Sequence, residues 1–342
     1  MLSPRLIARK PLFFVRTVWQ LIFRQFGKDK KINGIEFAPH YACNFKCAHC
    51  YEKKFRESKH KPMGIKEQSW ILTEAIDAGV LSVTFVGGEA AIHPQLPELI
   101  KAAKPWKTYI SIASNGWVMT EDKLVELQKL GVDKVNMSLD SWDPAEHDDQ
   151  RQKAGSHRRV MEAVDICNRL GLAASLSMVV QRGSTQTEGF KKIVEYTLEK
   201  DIRLQFKLAV PMGEWEGRKD LLIDRRDRAV VDELMGKNPR MTSCFSRGCQ
   251  AMRGTVTISA YGDVMPCNCN HVSMGNLREE RFVDILDRGR QVSYFDASYR
   301  GCLVSENMDY IETILPRISG SEQYPAPYAE VFPELADKEG SK

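Results

Sequence analysis

Short apolar runs alternate with helical patterns from residue 81 to residue 210, and this alternation constrains the fold more than any other feature of the chain. Strands that alternate with helices indicate βαβ units, whose strands are parallel and share one sheet. An earlier apolar run at 34–38 adds a first strand. We predict six strands, at 34–38, 81–86, 109–113, 135–139, 173–180 and 204–210. The sequence therefore predicts an α/β fold built on a parallel sheet.

The composition excludes several classes of protein. The chain has 342 residues, 43% hydrophobic and 27% charged, which is typical of a soluble protein of one large or two moderate domains. The net charge is only +4, so we expect no nucleic-acid partner. Nine cysteines are an odd number in a chain too large to need disulfides. With no secretory signal and no long apolar run, we predict a cytoplasmic protein with reduced thiols.

Three cysteines, Cys43, Cys47 and Cys50, lie on one short segment directly after the first predicted strand. Cysteine thiolates hold iron–sulfur clusters, and a [4Fe–4S] cube normally takes four of them. Three ligands leave one iron without a protein ligand, and an open position is the mark of a catalytic metal site. From these residues alone, a zinc site or buried free thiols remain as alternatives.

The three-cysteine segment resembles the CxxxCxxC signature of the radical S-adenosylmethionine (radical SAM) superfamily. Further motifs follow in the order of that family, and the resemblance covers roughly residues 34–215. They are GGE at Gly87, Gly88 and Glu89, SNG at Ser114, Asn115 and Gly116, SLD from Ser138 to Asp140, and the segment PAEHDDQR that ends at Arg151. This resemblance implies a partial (β/α)6 TIM-type barrel, with the site at the carboxyl ends of the strands.

The resemblance also implies the cofactors. S-adenosylmethionine (SAM) would bind the open iron and be cleaved reductively to a 5′-deoxyadenosyl radical, which abstracts a hydrogen atom from the substrate. An electron donor such as flavodoxin or ferredoxin would be a partner. The implied SAM contacts are His49, Gly87, Gly88, Glu89, Ser114, Asn115, Ser138, Asp140 and Arg151. The glycines would let backbone approach the methionyl group, and the Glu89 carboxylate suits its ammonium; a simple strand-to-helix turn is the alternative for the glycines.

A second set of cysteines follows residue 216, around a predicted hairpin with Gly262 and Asp263 in its turn. This region resembles the auxiliary cluster domains called SPASM and twitch. The resemblance implies a second [4Fe–4S] cluster held by Cys244, Cys249, Cys267 and Cys302, so two clusters in total are expected. The run of cysteines for a third cluster is missing. Zinc is the alternative, and whether Cys267 or Cys269 is the ligand stays open.

Cys269 is then a spare thiol beside a ligand. We predict that the enzyme oxidises a peptide, carbohydrate or lipid-linked substrate by dehydrogenation or cross-linking, with the auxiliary cluster as electron acceptor. One alternative is a radical epimerase, in which Cys269 is catalytic and donates a hydrogen atom to the substrate radical. In the other alternative Cys269 has no catalytic role and packs as a small apolar side chain. A further alternative is a membrane-associated, non-catalytic iron–sulfur protein. The substrate is a small molecule or a peptide that the sequence does not identify.

The two ends of the chain differ in charge. Residues 1–33 form a basic amphipathic segment, whose residues 1–30 are expected to contact a membrane surface or a partner. Such contact would place the protein at the inner face of the membrane. The alternative is a helix packed across the open side of the barrel with its charges solvated. We predict the barrel at 34–215, the auxiliary domain at 216–315, and an acidic, proline-rich tail at 316–342 that closes over the barrel or is disordered.

Overall fold

The computed structural model describes residues 4–25, 32–246, 248–296 and 298–339. The strands within these ranges are β1 (Gly34–Phe37), β2 (Ser82–Phe85), β3 (Tyr109–Ser114), β4 (Lys134–Ser138), β5 (Ala173–Val180), β6 (Arg203–Leu208), β7 (Met241–Ser243), β8 (Thr255–Ile258), β9 (Val264–Met265), β10 (Val272–Ser273) and β11 (Ala326–Pro327). The α-helices there are α1 (Pro4–Arg9), α2 (Pro11–Gln25), α3 (Lys53–Glu57), α4 (Ile65–Asp77), α5 (Leu96–Ala102), α6 (Glu121–Lys129), α7 (Pro144–Arg151), α8 (Ser156–Leu170), α9 (Glu188–Glu199), α10 (Arg225–Lys237), α11 (Phe282–Gly289), α12 (Leu303–Glu306), α13 (Leu315–Gly320), α14 (Tyr328–Val331) and α15 (Pro333–Glu339).

One curled sheet organises the molecule, and among the described strands it has nine members in the order β7-β6-β5-β4-β3-β2-β1-β8-β9. Strands β1 to β6 are parallel neighbours in chain order, which confirms the partial barrel. All six predicted barrel strands are present, and among the described residues three later strands extend the sheet. Strand β7 pairs parallel with β6, and β8 pairs parallel with β1, so each edge of the six-stranded sheet is covered by a later segment.

The helices between the strands pack their apolar faces on the convex side of the sheet. In α4, Ile71, Leu72 and Ile76 are buried, and in α8 Cys167 is fully buried. The predicted hairpin is confirmed as β8 and β9, which pair antiparallel around a turn where Gly262 has a φ of +97°. The barrel strands all point their carboxyl ends the same way, so the loops that carry the cysteines and the GGE motif meet at one end.

The amino-terminal helices pack at the opposite end of the barrel. The Lys10 Nζ donates hydrogen bonds to the carbonyls of Thr108 and Gly131, 2.9 and 3.0 Å away, which precede β3 and β4. Arg16 Nη2 donates to the carbonyls of Ile76 and Val80, at 2.8 and 3.0 Å. The alternative of a helix across the open side with solvated charges was therefore wrong for Lys10 and Arg16, because these side chains bind carbonyls at the base of the barrel.

The other face of α2 is apolar and exposed. Its residues Leu12, Val15, Trp19 and Ile22 are 46–63% exposed and recur at helical spacing. None of the described helices is both long enough and apolar enough to span a bilayer. The basic residues Lys28, Lys30 and Lys31, which belonged to the predicted segment, lie outside the described residues.

The carboxyl-terminal segment is packed rather than loose over its described part, 316–339. Strand β11 pairs parallel with β10, and Tyr324 contacts His271 by a hydrogen bond between its hydroxyl and Nδ1. Phe332 and Leu335 are 1% and 3% exposed. The alternative that this tail is disordered was therefore wrong for the described residues. Although the tail is acidic and rich in proline, its apolar side chains are buried against the rest of the protein. The domain boundaries after residues 33, 215 and 315 stay a prediction.

Candidate active site

The loop that carries Cys43, Cys47 and Cys50 interlocks with the GGE loop after β2. Gly88 N donates to the carbonyl of His40 at 3.3 Å, and Glu89 N donates to the carbonyl of Ala42 at 3.0 Å. A Cβ on Gly87 or on Gly88 would lie 2.3 Å from one of these two carbonyl oxygens, and Gly87 has a φ of +102°. Both positions therefore require glycine because the cysteine loop approaches so closely. The predicted approach of this backbone to the methionyl group of the cofactor stays a prediction.

Glu89 is the buried acceptor at the centre of this interlock. Its carboxylate accepts hydrogen bonds from the backbone N–H of Asn115 at 2.6 Å and of Ala91 at 3.2 Å. Burial raises the pKa of Glu89 to about 7 despite these hydrogen bonds, which favour the ionised form. The Asn115 side chain donates to Asn44 at 2.8 Å and lies 3.9 Å from the Cys43 sulfur. The structure thus joins GGE, SNG and the cysteine loop in one network.

Asp140 and Arg151 form a buried ion pair behind the cysteines. The Asp140 carboxylate accepts from Arg151 Nε at 2.6 Å and from the backbone N–H of Val179 at 3.1 Å. Burial alone would raise the pKa of Asp140, but the charge of Arg151 and other partners lower it to about 2. Arg151 Nη1 also lies 3.9 Å from the Cys47 sulfur. Arg151 therefore offsets negative charge on a cysteine thiolate, and Asp140 fixes its position.

His49 and the segment after β6 close one side of the cysteine loop. His49 Nε2 lies 3.6 Å from the Asp140 carboxylate, and its ring centroid lies 5.5 Å from that of Trp215. Gly213 has a φ of +64°, and a Cβ there would lie 2.3 Å from the carbonyl oxygen of Cys50. Sequence reasoning missed this contact. The signal was the sequence PMGEW at 211–215, where a glycine lies in the loop after β6.

The residues present fit an iron–sulfur cube at the first set of cysteines. Cys43, Cys47 and Cys50 line a cavity, and Arg56 and Arg151 line it too. Two guanidinium groups stabilise thiolate charge there, although burial raises the pKa of the Cys50 thiol to about 12 before any metal is bound. Within the described ranges, no three His, Cys, Asp or Glu side chains are placed to share one metal ion. A cube has no such requirement, because each thiolate binds a different iron.

The carboxyl-terminal cysteines form a second group. Burial raises the pKa of Cys302, and the neighbouring thiols of Cys244, Cys267, Cys269 and Cys249 raise it further, so Cys302 lies within electrostatic range of the other four. Cys269 lines the same cavity as the first set of cysteines, together with Asn268. The assignment of Cys244, Cys249, Cys267 and Cys302 as ligands stays a prediction, as does the role of Cys269.

A cavity of about 280 Å³, the central cavity, is lined by the first group of cysteines, by residues of the barrel strands and, from the second group, by Cys269. Ser114, Asn115, Ser138, Asp140 and Arg151 face it near the cysteine loop. Deeper in, sequence reasoning missed several lining residues, which are Glu36, Glu52, Thr84, Ser111, Lys134, Asn136, Gln205 and Lys207. Most of them occupy every second position of a barrel strand. The signal available in the sequence was that polar residues recur at alternate positions of strands that are otherwise apolar.

Two family models match the chain. The model of the radical SAM superfamily matches residues 38–196, and the SPASM model, an iron–sulfur cluster-binding domain, matches residues 249–305. The chain therefore has a radical SAM domain followed by a SPASM domain. These domains imply [4Fe–4S] clusters and S-adenosylmethionine as cofactors.

Several curated proteins are similar in sequence. The GTP 3′,8-cyclase of Hydrogenovibrio crunogenus is 29% identical over 195 residues, which are 54% of this chain and 57% of that protein. The GTP 3′,8-cyclase of Chlorobaculum tepidum is 27% identical over 243 residues, 68% of this chain and 72% of that protein. The PqqA peptide cyclase of Streptomyces rochei is 28% identical over 151 residues, which are 44% of this chain and 41% of that protein. The chain spans between 41% and 72% of the length of these relatives.

Solved structures share the fold. SuiB of Streptococcus suis, bound to its precursor peptide SuiA, superposes with a TM-score of 0.60 at 19% identity over 83% of this chain and 69% of that chain. The protein anSMEcpe with bound S-adenosylmethionine has a TM-score of 0.61 at 17% identity, over 90% of this chain and 99% of that chain. At such identities the likeness is one of fold.

Proposed function

We propose that this chain, a member of the radical SAM superfamily with a carboxyl-terminal SPASM domain, abstracts a hydrogen atom from a C–H bond of a substrate in the central cavity. When bound, the cluster and S-adenosylmethionine supply the electron and the 5′-deoxyadenosyl radical for this step. The observation that carries the proposal is the central cavity itself. It is lined by the glycines of the GGE motif, by residues of the SNG and SLD motifs, by the three cysteines of the first loop and by Cys269.

The chain's own residues bind and orient the cofactors in this proposal. Cys43, Cys47 and Cys50 would hold the cube, with Arg151 close enough to the Cys47 sulfur to offset thiolate charge. The Glu89 carboxylate would bind the ammonium of S-adenosylmethionine, and the backbone N–H groups of Asn115 and Ala91 keep it in place. Ser114, Asn115 and Ser138 would contact the remainder of the cofactor, because they face the central cavity beside the cysteine loop.

We propose oxidation of the substrate as the reaction, by dehydrogenation or cross-linking. Loss of a hydrogen atom leaves a substrate radical, which must lose one more electron and release a proton to solvent to become a neutral closed-shell product. Cys244, Cys249, Cys267 and Cys302 would hold the auxiliary cluster as the acceptor of that electron. A second candidate, epimerisation, is favoured by one observation: Cys269 lines the central cavity and its thiol could return a hydrogen atom.

The partners we propose follow from the relatives and from the cavity. Relatives act on GTP or on the PqqA peptide by their names, and SuiB is solved with a precursor peptide, so a small molecule or a peptide is the proposed substrate. A carbohydrate or lipid-linked molecule would suit the polar cavity as well. A cytoplasmic flavodoxin or ferredoxin would supply electrons.

We also propose that α2 brings the protein to the inner membrane surface. Support comes from its exposed apolar stripe at Leu12, Val15, Trp19 and Ile22. Lys28, Lys30 and Lys31 follow in sequence and would be attracted to anionic lipids. The inward Lys10 and Arg16 hold the helix to the base of the barrel, so lipid contact would leave the cavity end facing away from the bilayer.

The test of the enzyme proposal is cofactor cleavage by anaerobically reconstituted protein. Two cubes predict about eight bound irons, and the triple replacement of Cys43, Cys47 and Cys50 by Ala should remove about four of them. The wild type, reduced with dithionite, should convert S-adenosylmethionine to 5′-deoxyadenosine, whereas the triple variant should not. Cofactor cleavage that persists in the triple variant would refute the proposal. The matched control is Cys167→Ala, a buried cysteine in α8 away from both groups.

A further inference from the structure

A row of polar side chains crosses the floor of the central cavity. In the register of the sheet, Glu36 of β1 lies beside Thr84 of β2, Thr84 beside Ser111 of β3, and Ser111 beside Lys134 of β4. All four side chains line the cavity. The interior of a TIM-type barrel is normally filled by bulky branched apolar residues. This row therefore marks a binding surface rather than a packed core.

Three side chains of the row, those of Glu36, Thr84 and Ser111, form hydrogen bonds within the protein. The hydroxyls of Thr84 and Ser111 share a hydrogen bond of 2.8 Å. Glu36 accepts a hydrogen bond from the hydroxyl of Thr257 at 3.0 Å. Asn136, two positions after Lys134, accepts from Ser175 at 2.7 Å and donates to Gln205 at 3.3 Å. The network around Lys134 is thus closed without it.

Lys134 differs from its neighbours. Among the described residues, its ammonium makes neither a hydrogen bond nor an ion pair, and Glu36, at the other end of the row, lies three strands away. Burial, followed by the positive charges of Arg203 and Lys207, lowers the pKa of Lys134 to about 8, so the group is still mostly protonated at neutral pH. Lys134 is partly buried in the cavity. A charge in such a place without a partner is costly, and native proteins usually pair such charges.

We propose that Lys134 binds an anionic group of the substrate, a carboxylate or a phosphate, at the floor of the central cavity. Ser111 lies beside Lys134 in the register and can donate its hydroxyl to the same anion. Because Lys134 is the first residue of β4, the anion would sit at the end of the cavity away from the cysteine loop. The rest of the substrate would then extend towards the bound S-adenosylmethionine. This rests on the proposed function, in which the substrate occupies that cavity.

The test measures the thermal unfolding midpoint of the reconstituted, S-adenosylmethionine-bound protein in increasing inorganic phosphate or glutarate, with sodium chloride at matched ionic strength. At least one of the two anions should raise the midpoint of the wild type above the chloride reference. A response to phosphate alone identifies a phosphate-bearing substrate, and a response to glutarate alone identifies a carboxylate. Lys134→Met should need at least a 10-fold higher concentration of that anion for the same shift.

Two further variants sharpen the result. Lys134→Arg keeps the charge and should retain part of the anion response. Lys129→Met removes an exposed lysine at the end of α6 and should respond as the wild type does. Lys134→Met should also unfold at a higher temperature than the wild type without anion, because the unpaired ammonium is gone. A wild type that responds to neither anion, or a Lys134→Met variant that responds equally, overturns the proposal.

The two proposals fail separately. Failure of the wild type to cleave S-adenosylmethionine would refute the enzyme proposal, whereas the comparison of anion responses between wild type and Lys134→Met does not depend on that cleavage.

Discussion

Glu89 carries the sharpest expectation for a single residue. Replacing its carboxylate by the neutral amide in Glu89→Gln turns a charge-assisted hydrogen bond to the cofactor ammonium into a neutral one. The expected loss is about 1.5–3 kcal/mol, or roughly a 10- to 150-fold higher Kd for S-adenosylmethionine. Calorimetric titration of the reconstituted protein measures it. Glu98→Gln, an exposed position in α5, is the matched control and should bind normally.

The pH dependence of the same Kd gives a second measurement. Burial raises the pKa of Glu89 to about 7, so below that pH its carboxyl is neutral and attracts the ammonium less. Affinity for the cofactor should therefore rise between pH 6 and pH 8 in the wild type and stay flat in Glu89→Gln. Equal affinity of the two proteins at pH 8 would remove Glu89 from the cofactor site.

Cys269 separates the two candidate reactions. In Cys269→Ala, incubated with substrate in deuterated water, an epimerase should lose solvent deuterium from its product while both clusters and cofactor cleavage are retained. An oxidising enzyme should give its normal product without solvent deuterium, because no hydrogen atom is returned to the substrate. Mass spectrometry of the product and iron analysis provide the readouts. Loss of iron in this variant would instead make Cys269 a ligand.

At the scale of elements, α2 has two faces with different partners. The double variant Leu12→Ser and Val15→Ser changes exposed side chains only, so the fold should be kept while binding to anionic vesicles falls. Co-sedimentation with vesicles containing phosphatidylserine measures this, and raised salt should weaken the binding of the wild type. Leu198→Ser, an equally apolar exposed position in α9, is the control. Unchanged co-sedimentation would contradict the membrane proposal.

The same element shows why a deletion would be a poorer test. Lys10 and Arg16 donate hydrogen bonds to carbonyls that precede β2, β3 and β4. Removing the helix leaves those carbonyls without their donors and uncovers the base of the barrel. We therefore expect a truncated protein to lose stability whether or not it binds lipid.

The sequence predicted the elements whose patterns are long and regular. Six barrel strands of four to eight residues, separated by helices with one buried apolar side, give a clear alternation, and the cysteine, GGE, SNG and SLD motifs lie at their ends. Strands β10 and β11 have two residues each, which is too short for a period of two to appear. The orientation of α2 was also out of reach, because its basic side chains find their carbonyl partners only in the folded barrel.

At the scale of the whole molecule, buried neutral histidines should make stability depend on pH. His147 Nδ1 accepts the backbone N–H of Asp140 at 3.2 Å, which requires an unprotonated nitrogen. Burial, together with the charge of Arg151, lowers the pKa of His147 to about 4 although Asp140 opposes this, and burial lowers that of His271 to about 4 as well. The ordinary pKa of histidine is 6.5. Below that pH the unfolded chain therefore binds more protons than the folded chain does.

Stability should accordingly be lost as the pH falls from about 6.5 towards 4, by up to about 1.4 kcal/mol per pH unit for each such histidine. Urea unfolding midpoints at pH 7.5 and 5.5 measure the loss. His147→Gln should reduce the difference between the two midpoints, whereas His60→Gln, at an exposed position, should not. A midpoint that does not move between these two pH values would mean that the buried histidines titrate normally.

Strand β8 lies beside β1 although Thr257 and Glu36, which meet across that pair, are 221 positions apart in the chain. During synthesis, β1 therefore leaves the ribosome long before its second neighbour exists. Until β8 arrives, β1 has one open edge that another nascent chain could pair with. Contacts at such a sequence separation also form slowly, because the long loop must close first. The strand that leads into the cysteine loop is thus among the last to be completed, so the pocket takes its final form only after the carboxyl-terminal half of the chain has been made.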